Sequence, residues 1–496
     1  MWLAYDAIQV STHNSSAAAS RAINCTLNVN EADDSGVFVC RPVPCYYGGK
    51  INFTATNNNE TSMKKVYDDQ LALLTYIAKW LLMACMVALL AGSASAFFLF
   101  SLDQVTRWRE AHPQIIWFLP LAGFTVGWIY LHFGKSVEAG NNLIIDEIHD
   151  PKKTIPLRMA PLVLMGTIVS HLFGASVGRE GTAVQMGASL ADQCTQLFRL
   201  PKKQRRLLIM AGISAGFASV FGTPLAGALF GLEVLTVGRM RYDAILPCFI
   251  AAIIADQVGL LWGVQHTHYI VSAIADISIW SLTATVVAGI IFGLVGMLFA
   301  QAIHGLAAFM KKHISYAPLR PMAGGTVVAL AVVLLGSQRY IGLGIPVIIE
   351  AFQHPVAWYD FLAKMAFTVT SLGSGFKGGE VTPLFYIGAT LGNALAPLLH
   401  LPFPMLAALG FVAVFAGAAN TPIACTVMAM ELFGPSIGVF AAIACVMSYL
   451  FSGYTGIYRA QRVEQSKHRD RSEEIEFSEL EAYRRKREKS GADKAE

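Results

Sequence analysis

Gly222-Thr223-Pro224-Leu225-Ala226, with Glu233 ten residues after the threonine, returns 198 residues later as Asn420-Thr421-Pro422-Ile423-Ala424 with Glu431. A second pair keeps the same order at nearly the same offset. Glu180-x-Thr182 leads to Gly187-Ala188-Ser189-Leu190, and Glu380-x-Thr382 leads to Gly388-Ala389-Thr390-Leu391, the two glutamates standing 200 apart. Two motif pairs in one order indicate an internal duplication, with halves over about 66–265 and 270–458. Paired interrupted apolar segments in two halves point to the binding site of a transporter.

The text around these motifs is apolar. The 496 residues are 54% hydrophobic and 14% charged, where an average soluble domain carries roughly a quarter charged residues. Residues 277–310 and 432–458 hold no Asp, Glu, Lys or Arg, and a membrane span needs about 20 apolar residues. A soluble core does not hide runs of that length, so the expectation is an all-α polytopic membrane protein. Many apolar segments are cut by Gly, Pro or charge. Lipid tolerates broken backbone only where it is buried in protein or lines a cavity, so the breaks place a cavity near mid-membrane.

The charge lies outside. Residues 459–496 carry 11 Lys/Arg and 10 Asp/Glu and read as a solvated, partly helical tail. Arg459, Arg462, Lys467, Arg469 and Arg471 directly follow the last span, which puts the C-terminus in the cytoplasm by the positive-inside tendency. Lys202, Lys203, Arg205 and Arg206, and Arg239 with Arg241, mark further cytoplasmic loops. Residues 1–65 differ from the rest and read as a disordered or artefactual extension. They hold Cys25, Cys40 and Cys45 and four N-x-S/T triplets, without a signal peptide, and Met63-Lys64-Lys65 looks like a natural start. Cys85, Cys194, Cys248, Cys425 and Cys445 read as small buried hydrophobes.

Thr-Pro at 223–224, 382–383 and 421–422 marks three helix beginnings, since Thr caps well and Pro suits the first helical position. Helix starts at depth expose N–H groups and a positive dipole end, which attract anions without a full charge. Ordinary capping is expected at 223 and 421. The start near Thr382 is the anion candidate, because Gly373, Gly375, Gly378 and Gly379 precede it and allow close backbone approach. In Gly178-Arg179-Glu180-Gly181-Thr182-Ala183-Val184-Gln185 a carboxylate stands between glycines in apolar surroundings. An intramembrane carboxylate is a functional hypothesis by default. As an anion at a helix start, Glu180 can occupy an anion site when ionised and leave it when protonated, which makes it gate and proton carrier at once; the alternatives are a cap or a pair with Arg179. Gly140-Asn141-Asn142-Leu143-Ile144 opens another helix whose amides can donate to an anion. Tyr458, at the inner end of the last span, offers a hydroxyl.

These residues carry a resemblance. G-R-E-G at 178–181 with V-Q at 184–185 resembles the CLC family of chloride channels and proton-coupled anion antiporters, over roughly 66–460. The resemblance implies a homodimer whose subunits are inverted repeats of broken, tilted helices, each with its own pore. Three departures are similar to the CLC-F branch, the bacterial fluoride/proton antiporters. Thr182 replaces the usual Pro, Asn141 stands at the chloride-contacting Ser position of Gly140–Ile144, and Val381 stands at the Phe position of Gly379-Glu380-Val381-Thr382-Pro383. Tyr458 falls where the family's central Tyr would be, and the inner proton-relay Glu of chloride/proton exchangers aligns with Val234. Glu233 beside it is shared with the other half as Glu431, so an architectural role is expected. The resemblance implies Glu180 for gating and proton coupling. Asn141, Val381, Thr382, Tyr458, Gly178 and Gly181 would bind the anion, with Arg179, Thr182, Gly140, Asn142, Gly379 and Glu380 in support.

The expected activity is export of fluoride against inward protons from the bacterial cytoplasm across the inner membrane, with fluoride (or chloride) and protons as partners in a lipid bilayer. No cofactor, metal or nucleic acid is expected. The alternative within transport is a chloride-selective channel or chloride/proton exchanger, and the residues alone specify only an anion. A membrane enzyme using Glu180 as acid/base is disfavoured, because no nucleophile, metal-ligand cluster or phosphate loop accompanies it.

Overall fold

The repeat seen in the sequence is drawn out as two sets of eight helices in a computed structural model, which describes residues 58–465, 467 and 475–476. The chain divides after Val66 into two units. Almost all of the first, with the expected extension and its cysteines, lies outside the described residues; the second, Tyr67–Glu496, holds the membrane helices.

The first set comprises α1 (Asn58–Ala111), α2 (Leu119–Phe133), α3 (Asn141–His149), α4 (Met159–Leu172), α5 (Glu180–Leu197), α6 (Lys202–Phe221), α7 (Pro224–Glu233) and α8 (Ile245–Leu261). The second comprises α9 (Ile279–His313), α10 (Leu319–Leu335), α11 (Ile345–Gln353), α12 (Asp360–Ser374), α13 (Val381–Leu399), α14 (Phe403–Ala419), α15 (Pro422–Phe433) and α16 (Gly438–Phe451). Lengths correspond in order: α3 and α11 have 9 residues each, α5 and α13 have 18 and 19. Five helical stretches are long and apolar enough to cross a membrane among the described residues, the longest being Asp69–Ala111 of α1, 43 residues, and α9, 35 residues, each longer than the roughly 20 residues that a span needs. Helices α3, α7, α11 and α15, of 9 to 12 residues, are too short to cross and end inside the protein, where neighbouring groups can satisfy their termini.

Small residues bring the two central helix pairs together. A Cβ at Gly187 of α5 would overlap the carbonyl of Gly212 on α6, and one at Gly388 of α13 would overlap that of Gly410 on α14. Backbone lies on backbone at equivalent places in the two halves, and α6 and α14 are buried along nearly their whole apolar length.

Helices α7 and α15 begin at Pro224 and Pro422 as expected, but Thr223 and Thr421 make no side-chain cap. The exposed N–H groups are instead taken by the opposite half. The Glu431 carboxylate accepts from Leu225 N (2.9 Å) and Ala226 N (2.8 Å), and that of Glu233 accepts from Ile423 N (3.0 Å) and Ala424 N (2.8 Å). Each carboxylate meets a dipole's positive end and accepts from two N–H groups, one on each oxygen. Helix α13 starts at Val381 rather than at Pro383, with Glu380, two residues before Thr382, in the capping position. The apolar run 421–458 is not one segment, because Gly434 (φ +94°) and Pro435 separate α15 from α16.

The opening of the C-terminal tail also differs from a solvated helix. Arg462–Val463 (β2) pairs in parallel with Thr236–Val237 (β1) and antiparallel with Ile475–Glu476 (β3). Gln461, fully buried, donates to the carbonyls of Val234 (2.7 Å) and Ala419 (2.8 Å), and Lys467 Nζ donates to Tyr449 O and Asn420 Oδ1, both at 2.6 Å. Carbonyls left open near the ends of α7, α14 and α16 thus recruit the first residues past the membrane.

Candidate anion-binding site

The two G-x-E loops meet. Gly178 N donates to Gly379 O (2.6 Å) and Gly379 N to Gly178 O (2.8 Å), a single antiparallel bridge between the halves. No side chain fits there: a Cβ at Gly379 would lie 2.7 Å from Gly181 N, and one at Gly178 2.9 Å from Gly379 O. The bridge sets the starts of α5 and α13 against each other, so helix ends from both halves converge on one point.

Glu180, the first residue of α5, is 1% exposed. Its carboxylate lies on the N-terminus of α13, accepting from Thr382 N (3.1 Å), from the Thr382 hydroxyl in a short bond, and from Arg179 N (3.1 Å). Arg179 Nε stands 3.6 Å away, so the pairing weighed from the sequence is present but long. The carboxylate stands where an anion would find a backbone N–H, a hydroxyl and the dipole of α13. Hydrogen bonds to an ionised acceptor are roughly twice as strong as those to a neutral one.

Gly181 is ringed by the other candidates. A Cβ there would lie 3.3 Å from Asn141 Nδ2, 3.8 Å from Glu380 Oε2 and 3.2 Å from Gly379 Cα. Asn141 Oδ1 and Glu380 Oε2 are buried without a hydrogen-bond partner. Asn141 and Tyr458 share a cavity of about 10 Å³ with Val184, Phe230 and Val234. Tyr458 therefore belongs to the inner side of the same region, as does Val234, which gives that cavity an apolar wall at the position where a relay carboxylate was absent from the sequence. Val381 is buried beside Thr382. Thr182 has a purpose of its own: its hydroxyl shares a 2.7 Å hydrogen bond with Thr167 of α4, a partner a proline would lack. Gly140 (φ +57°) needs its left-handed backbone, and the amide of Gln185 lies 3.3 Å from its Cβ position. Asn142 is drawn elsewhere, accepting from Ala460 N (3.1 Å) and so tying α3 to the segment after Tyr458.

The family model described as voltage gated chloride channel matches residues 122–453. The chain belongs to the CLC family. Its CLC relatives include the chloride/fluoride channel protein of Pseudomonas syringae pv. tomato, 68% identical over 422 residues, 84% of this chain and 93% of that one. The H(+)/Cl(-) exchange transporter ClcA of Cronobacter sakazakii is 28% identical over 385 residues, 71% of this chain and 81% of that one. A solved CLC-type fluoride/proton antiporter superposes with a TM-score of 0.76 at 37% identity, covering 78% of this chain and 98% of the other. This CLC chain is a multi-pass membrane protein.

Some ionisable groups escaped the sequence reading. Asp360 and Lys364, both fully buried on α12, stand four residues apart in an otherwise apolar run, and that alone marks them. Asp360 accepts from Tyr340 OH (2.7 Å) and Arg339 Nη2 (2.9 Å), and Lys364 Nζ donates to Gly342 O (2.7 Å) and Tyr340 O (3.1 Å). They pin the loop 336–344 to the membrane body. His266, in the segment joining α8 and α9, lines a cavity with Glu180; no motif announced it.

Proposed function

We propose that this CLC protein exports fluoride from the bacterial cytoplasm in exchange for protons. The observation that carries the reading is the Glu180 carboxylate lying on the N-terminus of α13 at Thr382, with Val381 buried beside Thr382 and Asn141 close to Gly181. Protonated Glu180 leaves, and fluoride, a small and strong acceptor, takes the Thr382 N–H and hydroxyl in its place. Asn141 and Tyr458 line the inner approach. Glu180 and its neighbour Glu380 carry protons; Val234 carries none. The printed names of the relatives in fluoride and fluoride/proton transport support the substrate and the coupling.

The protein sits in the inner membrane as a homodimer with its C-terminus in the cytoplasm, consistent with the basic residues beside α6, α8 and α16 and with Leu225, Ile253, Ile423 and Val446 exposed on α7, α8, α15 and α16. The test is anion efflux from proteoliposomes, fluoride against chloride, with pH recorded. Fluoride efflux faster than chloride, with alkalinisation of the medium that proton uptake drives, is expected. Equal or greater chloride flux would favour the exchanger reading, and flux of either ion without pH change would make the protein a channel.

A further inference from the structure

Helix α8 begins just after Arg239 and Arg241, on the side the basic loops assign to the cytoplasm, and crosses the membrane to Leu261. The next segment, 262–278, is therefore on the outer face. One of its residues turns inward. The His266 ring covers Gly222, where a Cβ would lie 2.5 Å from its Cδ2, and it lines a cavity of about 20 Å³ together with Glu180, Arg179, Tyr269 and Thr382. One water fills roughly 10–15 Å³ of such space, so the cavity holds about one water between histidine and gate.

The ring is set up as a proton acceptor. Its Nε2 is buried and has no hydrogen-bond partner. In the neutral tautomer with the hydrogen on Nδ1, Nε2 is a free lone pair. Asp256 Oδ1 of α8 lies 3.9 Å from it, close enough to favour an imidazolium without holding the proton in a short bond. The other charged or titratable groups that face this place are Arg179 and Glu180 from the start of α5, His268 of the same segment, Tyr269 against the cavity, and Glu431 of α15, whose carboxylate is occupied by Leu225 and Ala226 N–H.

We propose that His266 is the proton-loading residue of the outer mouth, passing protons that enter from the external side through the cavity water to the Glu180 carboxylate. In the step the Nε2–H bond breaks and a water O–H forms, while that water's other hydrogen passes to a Glu180 oxygen. The histidine returns to its neutral form, and Glu180, now neutral, releases the α13 N-terminus to an anion. Asp256 supports the charged ring. Burial first, and then the Arg179 guanidinium, lower the His266 pKa from its ordinary value, so at neutral pH the ring is an empty acceptor that fills transiently.

The inference rests on fluoride/proton exchange by this protein. Its test is fluoride-driven proton uptake in proteoliposomes, at equal pH on both sides from 5.5 to 8, for the wild type, His266→Gln, His266→Ala and Asp256→Asn. The loss of a positioned acid–base group should slow His266→Gln about tenfold or more at the alkaline end. The deficit should close toward the acid end, where hydronium supplies Glu180 directly. Added imidazole should restore His266→Ala, and Asp256→Asn should shift the profile to lower pH, since the imidazolium loses its carboxylate. A His266→Gln profile equal to wild type at every pH overturns the proposal, as does a loss that is uniform across pH and unmoved by imidazole. A wild-type protein that takes up no protons overturns the exchange reading itself, and the proposal with it.

Discussion

On the proposed reading Thr382 offers the incoming anion two donors, its backbone N–H and its hydroxyl, both held by Glu180 in this structure. Hydrogen bonds to charged groups contribute about 1.5–3 kcal/mol each. Thr382→Ala keeps the N–H and removes the hydroxyl, so fluoride affinity should fall about tenfold or more by that figure; Thr382→Ser should stay near wild type. Fluoride titration calorimetry of the purified variants separates these outcomes. Asn141 and Val381 belong to the same question from opposite halves. Asn141→Ser and Val381→Phe should each narrow the fluoride-to-chloride ratio in efflux assays, and an unchanged ratio in both would remove selectivity from this place. The meeting of these helix starts was legible in advance, because a glutamate between glycines and a Thr-Pro pair stand out in apolar sequence. His266 was not readable, since a histidine in a polar loop has no sequence mark until the fold turns it toward Glu180.

At the scale of elements, α7 and α15 exchange carboxylates. Glu233 closes the N-terminus of α15 and Glu431 that of α7. The repeat made this legible as architecture; the partner was not, because nothing in one half names the backbone N–H groups of the other. Glu233→Gln should therefore lower the thermal midpoint while leaving the ratio of protons to fluoride unchanged. Glutamine keeps one acceptor oxygen and leaves the other N–H unsatisfied, at about 1–3 kcal/mol. Lost proton flux with folding and fluoride flux intact would make Glu233 a relay. Glu380→Gln is the counterpart with the opposite expectation, loss of coupling. The same limit explains the capping positions: Thr-Pro marked the breaks at 224 and 422, yet which oxygen fills a cap is decided by packing across 200 residues of chain.

At the largest scale, the duplication accounts for the order of the helices among the described residues. Two sets of eight helices bring their broken ends together at the Gly178–Gly379 bridge, and neither half makes the site alone. The period and the interruptions were visible in composition and motif. The course of the chain beyond Tyr458 was not, because a charge-rich segment reads as solvated whether or not its first residues find open carbonyls. Gln461 and Lys467 do so. Lys467→Ala should then free the segment after Tyr458, detected as faster tryptic cleavage at Arg459 and Arg462 with fluoride binding intact. The function itself turns on one side chain joining the two ion routes. The most direct test is simultaneous recording of fluoride efflux and proton uptake in liposomes containing wild-type protein or Glu180→Gln, whose amide imitates the protonated gate. Coupled movement in the wild type, with fluoride flux surviving and proton uptake abolished in Glu180→Gln, is the predicted result; a variant that still drives protons against their gradient when fluoride flows would contradict it.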